Sequence, residues 1–203
     1  MHIAVAGNIG SGKTTLTGLL AKHFNWNPHY EEVEHNPYLD SFYEDMQRWS
    51  FNIQIFFLTS RFRQVMDIRN SGKDVIQDRT IYEDAHIFAA NLYSMGLMET
   101  RDYENYQSLF ELMTRFLQPP DLLIYLRASV PTLIRHIAKR NREFEQSISI
   151  SYLTNLNERY EKWINGYKDG KLLIIDTDNI DLENPEDLST VVDRIEGSLN
   201  GLF

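Results

Sequence analysis

The stretch Gly7-Asn8-Ile9-Gly10-Ser11-Gly12-Lys13-Thr14 constrains this chain more than any other. It fits G-x-x-x-x-G-K-[ST] at every fixed position, and its flanks give the pattern a mechanism. Ahead of it His2-Ile3-Ala4-Val5-Ala6 is apolar and of strand length. Behind it, from Thr15 to Phe24, the residues Leu16, Leu19, Leu20 and Phe24 recur at helical spacing. The glycines let the backbone curl until successive N–H groups face inward, and the following helix adds its positive end, so the turn is shaped for phosphate oxygens. Lys13 is placed to reach β- and γ-phosphates and the Thr14 hydroxyl to ligate Mg²⁺, with Thr15 closing the loop. A glycine-rich turn with no ligand is the plain alternative. The expected ligand is a nucleoside triphosphate.

Charge and composition narrow the partners. With 29 acidic against 20 basic residues the formal charge is −9, which leaves no basic excess to neutralise a nucleic-acid duplex or an anionic membrane. The absence of cysteine removes disulfides, thiolate chemistry and cysteine-ligated zinc together. No basic-then-apolar leader opens the sequence and no apolar run reaches transmembrane length, so a cytoplasmic protein is expected. Without a linker, repeat or low-complexity stretch, residues 1–203 are expected to form one domain.

Strands are predicted at 2–6, 29–33, 74–77, 122–126 and 171–176, with helical patterns between them. Asp74-Val75-Ile76-Gln77 and Leu122-Leu123-Ile124-Tyr125-Leu126 are short, apolar and sharply bounded, as buried parallel strands are. Ser129 before Val130-Pro131, and Asn184 before Pro185, read as capped helix starts. Repeated β-then-α alternation predicts an α/β fold in three layers, a five-stranded parallel sheet flanked by helices. Ligands of such sheets sit beyond the carboxyl ends of the strands. There the chain places Tyr30-Glu31-Glu32, Asp78-Arg79-Thr80, Arg127 and Asp176-Thr177-Asp178.

The helix predicted over 49–69 is apolar nearly all round, which implies burial on most sides. Gln54 and Arg61 stand seven residues apart in it, on one face and about 10.5 Å apart along the axis. A second helix, opening at Thr80, carries Asp84 and Phe88 four apart on a shared face. Buried Gln, Arg and Asp are costly without partners. Two arrangements satisfy them. One is an internal Arg61–Asp84 salt bridge with Gln54 satisfied by backbone. The other is a slot where these groups meet the edge of a flat heterocycle, with Phe88 or a neighbour stacked on its face.

A phosphate loop alone does not separate kinases from switches, motors or ATPases, although the Asn/Thr-Lys-x-Asp motif of GTP-binding switches is missing. At the acceptor residues the sequence resembles the deoxynucleoside kinase family. Matching stretches run through almost the whole chain in the family's order: GNIGSGKT (7–14), YEEVEHNPYL (30–39), FYEDMQRWSFNIQ (42–54), SRFR (60–63), QDRTIYEDAHIFAANLY (77–93), PPDLLIYLR (119–127) and KRNREFEQ (139–146). Bacterial purine-type members look closest. The resemblance implies a three-layer P-loop kinase fold with a short arginine-bearing lid at about 139–150.

It also implies roles. Glu31 matches the carboxylate that accepts the proton of the sugar 5′-hydroxyl as that oxygen attacks the γ-phosphorus. In a loose transition state the main service of such a group is orientation. Glu32 is its rival by adjacency, turned to the other face by strand alternation. Arg79 is the cation facing charge on the equatorial oxygens, and Asp78 either holds a Mg²⁺-bound water or orients Arg79. Tyr43 matches the tyrosine at the sugar 3′-hydroxyl, and Gln54 the bidentate amide for the base. Arg61 with Asp84 matches the pair favouring purine or cytosine over thymine, and Phe88 the stacking aromatic. Arg140 and Arg142 belong to a lid closing over the triphosphate, and Asp178, Asn179 and Ile180 to a loop touching the nucleotide base largely through backbone.

Four positions depart from the pattern. Asn141 stands where lids commonly have glycine, Ser151 where some relatives carry a glutamate reaching the sugar, Thr80 for the more frequent serine, and Asp78 for a glutamate of animal members. The implied activity is ATP- and Mg²⁺-dependent phosphorylation of a deoxyribonucleoside in nucleotide salvage, deoxyadenosine ahead of deoxyguanosine and deoxycytidine, by a homodimer. Its rivals are a nucleoside monophosphate kinase, which needs extra cations for the acceptor's own phosphate, and a nucleotide-gated regulator with no acceptor.

Overall fold

A computed structural model describes residues 1–31, 36–142, 145 and 148–200. The chain runs from β1 (His2–Gly7) into α1 (Lys13–Phe24), then β2 (Asn27–His29), α2 (Leu39–Glu44) and the long α3 (Met46–Ser71). After β3 (Val75–Asp78) come α4 (Ile81–Glu83), a π-helical stretch (Asp84–Ala89) and α5 (Ala90–Ser94). The rest is α6 (Thr100–Thr114), β4 (Leu122–Arg127), α7 (Val130–Arg140), α8 (Ile150–Asn165), β5 (Lys171–Asp176) and α9 (Pro185–Leu199).

Four strands fall where their apolar runs predict, but the second does not. It occupies Asn27–His29 rather than 29–33, and Glu32 and Val33 lie outside the described residues. The reason is its place in the sheet. All pairings are parallel in the order β2-β3-β1-β4-β5, so β2 is an edge strand held by β3 alone, from Asn27 opposite Val75 to His29 opposite Gln77. An edge strand needs no apolar run and tolerates Pro28.

Strand alternation sorts the core into two layers. Ile3 and Val5 of β1 pack with Leu16 and Leu20 of α1 and with Val191 and Ile195 of α9. Ala4 and Ala6 face the other way, toward Ile53 of α3, Ile87 of the π-helical stretch and Leu156 and Tyr160 of α8. A third cluster joins α3 to α6 through Leu58, Tyr106 and Phe110. The central position of β1 therefore delivers the phosphate loop between the ends of β3 and β4.

Helix α3 is longer than the predicted 49–69. Asp45 extends its start by accepting from the Arg48 N–H at 3.0 Å, and Gly72 at φ 62 ends it. It is not buried all round. Ile53, Gln54, Leu58, Arg61, Val65 and Ile68 make a buried stripe, while Phe51, Ile55 and Phe57 are half-buried. Ser129 likewise precedes α7 as predicted, with Pro131 in the first turn, but its side chain does not cap the helix. Asp178 Oδ1 does that work from the next loop, accepting from the Ser129 N–H at 2.8 Å and its hydroxyl at 2.9 Å. Among the described residues no helix is long and apolar enough to cross a membrane.

Candidate active site

The phosphate loop is shaped by two glycines and backed by two helices. Gly10 and Gly12 sit at φ 84 and 96, where an L side chain is strained. A Cβ on Gly10 would lie 2.8 Å from the Leu133 carbonyl of α7, so the loop touches that helix directly. His136 of α7 donates from Nδ1 to the Gly10 carbonyl at 2.8 Å, which turns that carbonyl away from the mouth of the loop. Asn8 holds the other side, its amide donating to the Leu153 carbonyl and to Asn157 Oδ1, both at 3.1 Å.

Lys13 donates to the Asn8 carbonyl at 3.0 Å. Burial and the neighbouring Arg79 push its ammonium down to about 8. The Thr14 hydroxyl donates to Asp78 Oδ2 at 2.6 Å, while Asp78 Oδ1 is buried without a hydrogen-bond partner among the described residues. A hydroxyl and a carboxylate side by side, with one carboxylate oxygen unsatisfied, fit a hard cation that takes its remaining ligands from phosphates and water.

Glu31 lies at the centre of the charged groups. Arg61 Nη2 donates to its Oε1 at 2.8 Å, and Arg79 Nε lies 3.0 Å from the same oxygen. Burial alone would raise this carboxyl, but Arg79, Arg61 and Lys13 outweigh it and hold it at about 2. Arg61 also donates from Nη1 to the Asp78 carbonyl at 3.1 Å and lies 3.4 Å from Asp84 Oδ2. The internal Arg61–Asp84 contact foreseen from the sequence is thus present, yet Glu31 has the shorter share of the guanidinium. Burial pushes the under-compensated Asp84 up to about 7. The Gln54 Oε1 is not satisfied by backbone: it is buried with no hydrogen-bond partner among the described residues.

Arg79 has φ 73, a left-handed conformation that costs a non-glycine residue about 1–2 kcal/mol. A charge-assisted hydrogen bond contributes roughly 1.5–3 kcal/mol, enough to offset the strain, and Arg79 makes one from Nη1 to the Tyr160 hydroxyl at 2.9 Å. The Glu31 carboxylate at the other edge adds an ion pair, and the Phe88 ring centroid lies 4.5 Å from the guanidinium carbon.

A cavity of about 550 Å³ joins these groups. Lys13 and Thr14 of the phosphate loop, Glu31, Asp78 and Arg79 from the strand ends, and Tyr43, Gln54, Asp84 and Phe88 from the helices all line it. Glu31 therefore faces the cavity shared with Lys13. Burial raises the Tyr43 hydroxyl far above its ordinary value, so it stays neutral. Asp84 and Phe88 share the cavity although the segment carrying them is π-helical rather than the regular helix expected. Arg61 stands behind the lining and acts through Glu31 and Asp84.

Arg140 and Arg142 reach the cavity too, and both meet Glu145. Arg140 Nε donates to Glu145 Oε2 at 3.0 Å, and Arg142 Nη1 lies 3.9 Å from Oε1. Asn141 adopts φ 52 and closes α7, its N–H bonded to the Ile137 carbonyl at 3.0 Å. That left-handed position suits glycine or asparagine, which accounts for the departure noted above. Asp178, Asn179 and Ile180 are absent from the cavity wall: Asp178 caps α7, and Ile180 packs on the apolar core beside α1. Ser151 is exposed, whereas Glu145 lines the cavity.

Three further residues were not legible as site residues. Glu83 has no pattern beyond the capping box of α4. Tyr160 sits among the apolar positions of α8, where it reads as core. Gln64 donates to the Tyr30 carbonyl at 2.8 Å and accepts from Gln77 at 2.8 Å, steadying the peptide before Glu31. The Tyr30 hydroxyl occupies a notch in α1, 3.2 Å from where a Cβ on Gly18 would be.

Comparison with known proteins gives a consistent set of relatives. A sequence profile described as deoxynucleoside kinase matches residues 3–200. The chain is 43% identical over 196 residues to a Bacillus subtilis (strain 168) protein named deoxyadenosine/deoxycytidine kinase, covering 95% of this chain and 90% of that one. It is 38% identical over 159 residues to a deoxyguanosine kinase of the same organism, covering 78% and 76%. The structure of deoxyadenosine kinase from M. mycoides with bound dATP superposes with a TM-score of 0.86 at 30% identity, covering 97% of this chain and 100% of that chain.

Proposed function

The chain belongs to the deoxynucleoside kinase family, and on that premise we propose that it transfers the γ-phosphoryl of ATP to the 5′-hydroxyl of a deoxyribonucleoside, deoxyadenosine ahead of deoxyguanosine and deoxycytidine. One observation carries the reading. A single cavity is shared by Lys13 and Thr14, by Glu31 and Arg79, and by Gln54 with its unsatisfied Oε1. A buried amide oxygen left without a partner is costly unless a ligand supplies one, and the exocyclic amino group of adenine or cytosine is such a donor.

In this reading each residue has a part that its surroundings favour. Glu31, held at about 2, is a weak base. It accepts the hydrogen bond of the 5′-hydroxyl and aims that oxygen, with proton removal late, as a loose transition state allows. Arg79 and Lys13 face the charge that develops on the transferring group. Gln54 and Asp84 take the base edge, Phe88 its face and Tyr43 the 3′-hydroxyl. Arg140 and Arg142 turn from Glu145 to the triphosphate. Thr14 and Asp78 would hold Mg²⁺, which when bound would neutralise charge on the phosphate oxygens. A cytoplasmic homodimer completes the reading. Leu112 and Phe116, 54% and 66% exposed, are apolar groups a partner subunit would cover.

The test is phosphoryl transfer from γ-labelled ATP with Mg²⁺ to each of the four deoxynucleosides and to deoxyadenosine monophosphate. Deoxyadenosine is expected to turn over fastest. Labelling of the monophosphate alone would move the assignment to the monophosphate kinases. ATP binding with no transfer to any acceptor would leave only the regulator.

A further inference from the structure

One buried carboxylate close to the cavity has no part in the reaction so far. Glu83 is fully buried. Its Oε2 accepts from the Thr80 N–H at 2.7 Å and the Thr80 hydroxyl at 3.1 Å, which completes the cap of α4. Its Oε1 points elsewhere. It accepts from the Gly7 N–H, the first residue of the phosphate loop, at 3.2 Å and from the Tyr160 hydroxyl at 2.8 Å. That hydroxyl accepts from Arg79 Nη1 at 2.9 Å, and Nη1 itself lies 3.8 Å from Glu83 Oε1.

We infer that Glu83 and Tyr160 are positioning residues, which set the Arg79 guanidinium in register with the phosphate loop before substrates bind. A cap for α4 requires only one carboxylate oxygen, and a neutral side chain would serve. Burying a full negative charge is expensive unless a cation and hydrogen bonds compensate it, and the cation at hand is Arg79. Tyr160 stands between them as a spacer. Its hydroxyl keeps Nη1 off Oε1, so the ion pair is held at 3.8 Å without a direct hydrogen bond and the guanidinium stays turned toward Glu31 at its other edge. The ring is fixed by stacking on Tyr125, with centroids 5.8 Å apart. The Gly7 contact ties the same carboxylate oxygen to the start of the phosphate loop. One group thereby locates the donor side and the transition-state cation together.

This inference rests on the role proposed for Arg79, and a double-mutant cycle on kcat separates the two. Tyr160→Phe keeps the ring and the α4 cap and removes only the hydroxyl. It is expected to lower kcat about tenfold with the KM values for ATP and nucleoside within about twofold. In an Arg79→Lys background the same change is expected to cost less than about twofold, because the group it positions has gone. Glu83→Gln, which keeps an acceptor for Tyr160 and Gly7 but not the charge, is expected to show the same non-additivity. If Arg79→Lys retains normal turnover, the role of Arg79 falls. If Arg79→Lys is slow while Tyr160→Phe is neutral, or costs the same in both backgrounds, the positioning role is overturned.

Discussion

At the scale of single residues, the site is a set of charges placed against their ordinary preferences. Lys13, at about 8, is partly neutral in mildly alkaline solution. A triphosphate beside it favours the ammonium, so ATP binding should draw in a proton there. Calorimetry at pH 8.5 in buffers of different ionisation enthalpy is expected to show uptake of about 0.7 proton, falling toward zero at pH 6.5. Lys13→Arg, which stays charged, should abolish the uptake. Glu31 is also lowered, but for a carboxyl that favours the charged form. Glu31→Gln keeps the shape and loses the charge, and is expected to lower kcat by about 10²–10⁴ with ATP affinity little changed. Near-normal turnover in that variant, measured under saturating substrates, would remove Glu31 from the reaction. The predicted residues that line the cavity were legible because their types follow the chemistry proposed for them. Glu83, Tyr160 and Gln64 were not, because what matters in them is a through-space partner 77, 81 or 34 positions away.

At the scale of elements, the sequence was most readable where burial imposes a period. β1, β3, β4 and β5, the cap of α9 and the starts of α4 and α7 follow from apolar spacing and turn chemistry. β2 was misplaced because an edge strand carries a weak apolar signal. The π-helical stretch was read as ordinary helix because a locally widened turn leaves the residue types unchanged. The support of the phosphate loop by α7 was hidden for a third reason: it runs through the backbone of Gly10, which packs against the Leu133 carbonyl and accepts from the His136 side chain. It makes a definite prediction. In Gly10→Ala the new Cβ would meet a helix carbonyl at 2.8 Å and would need a strained φ, so the loop must move. The KM for ATP should rise at least about tenfold while the KM for nucleoside stays within about twofold, as two-substrate kinetics would reveal.

At the scale of the whole molecule, the charged cavity sets a pH profile for stability. The folded Asp84 keeps its proton up to about 7, whereas an ordinary carboxyl releases it near 3.8. Between those values unfolding releases a proton, so stability falls as pH rises through the window. Lys13 acts in a different window. Its ammonium is lowered from 10.5 to about 8, so the unfolded chain binds the proton more tightly and stability recovers from pH 8 upward. A trough in melting temperature near pH 7–8 is expected, and calorimetric scans from pH 5 to 9 would locate it. In Asp84→Asn the decline between pH 5 and 7 should be shallower, whatever the variant's overall stability.

The sheet order also decides which parts of the molecule must keep their distance. Tyr30, one residue before Glu31, rests its hydroxyl in the notch of α1 at Gly18, and that helix begins at Lys13. The gap that a sugar oxygen must cross is consequently gauged by a position that touches neither nucleoside nor phosphate. Any side chain at residue 18 acts as a shim under the acid, so a mutation on the outer wall of the enzyme would be felt as a change in reach at its centre.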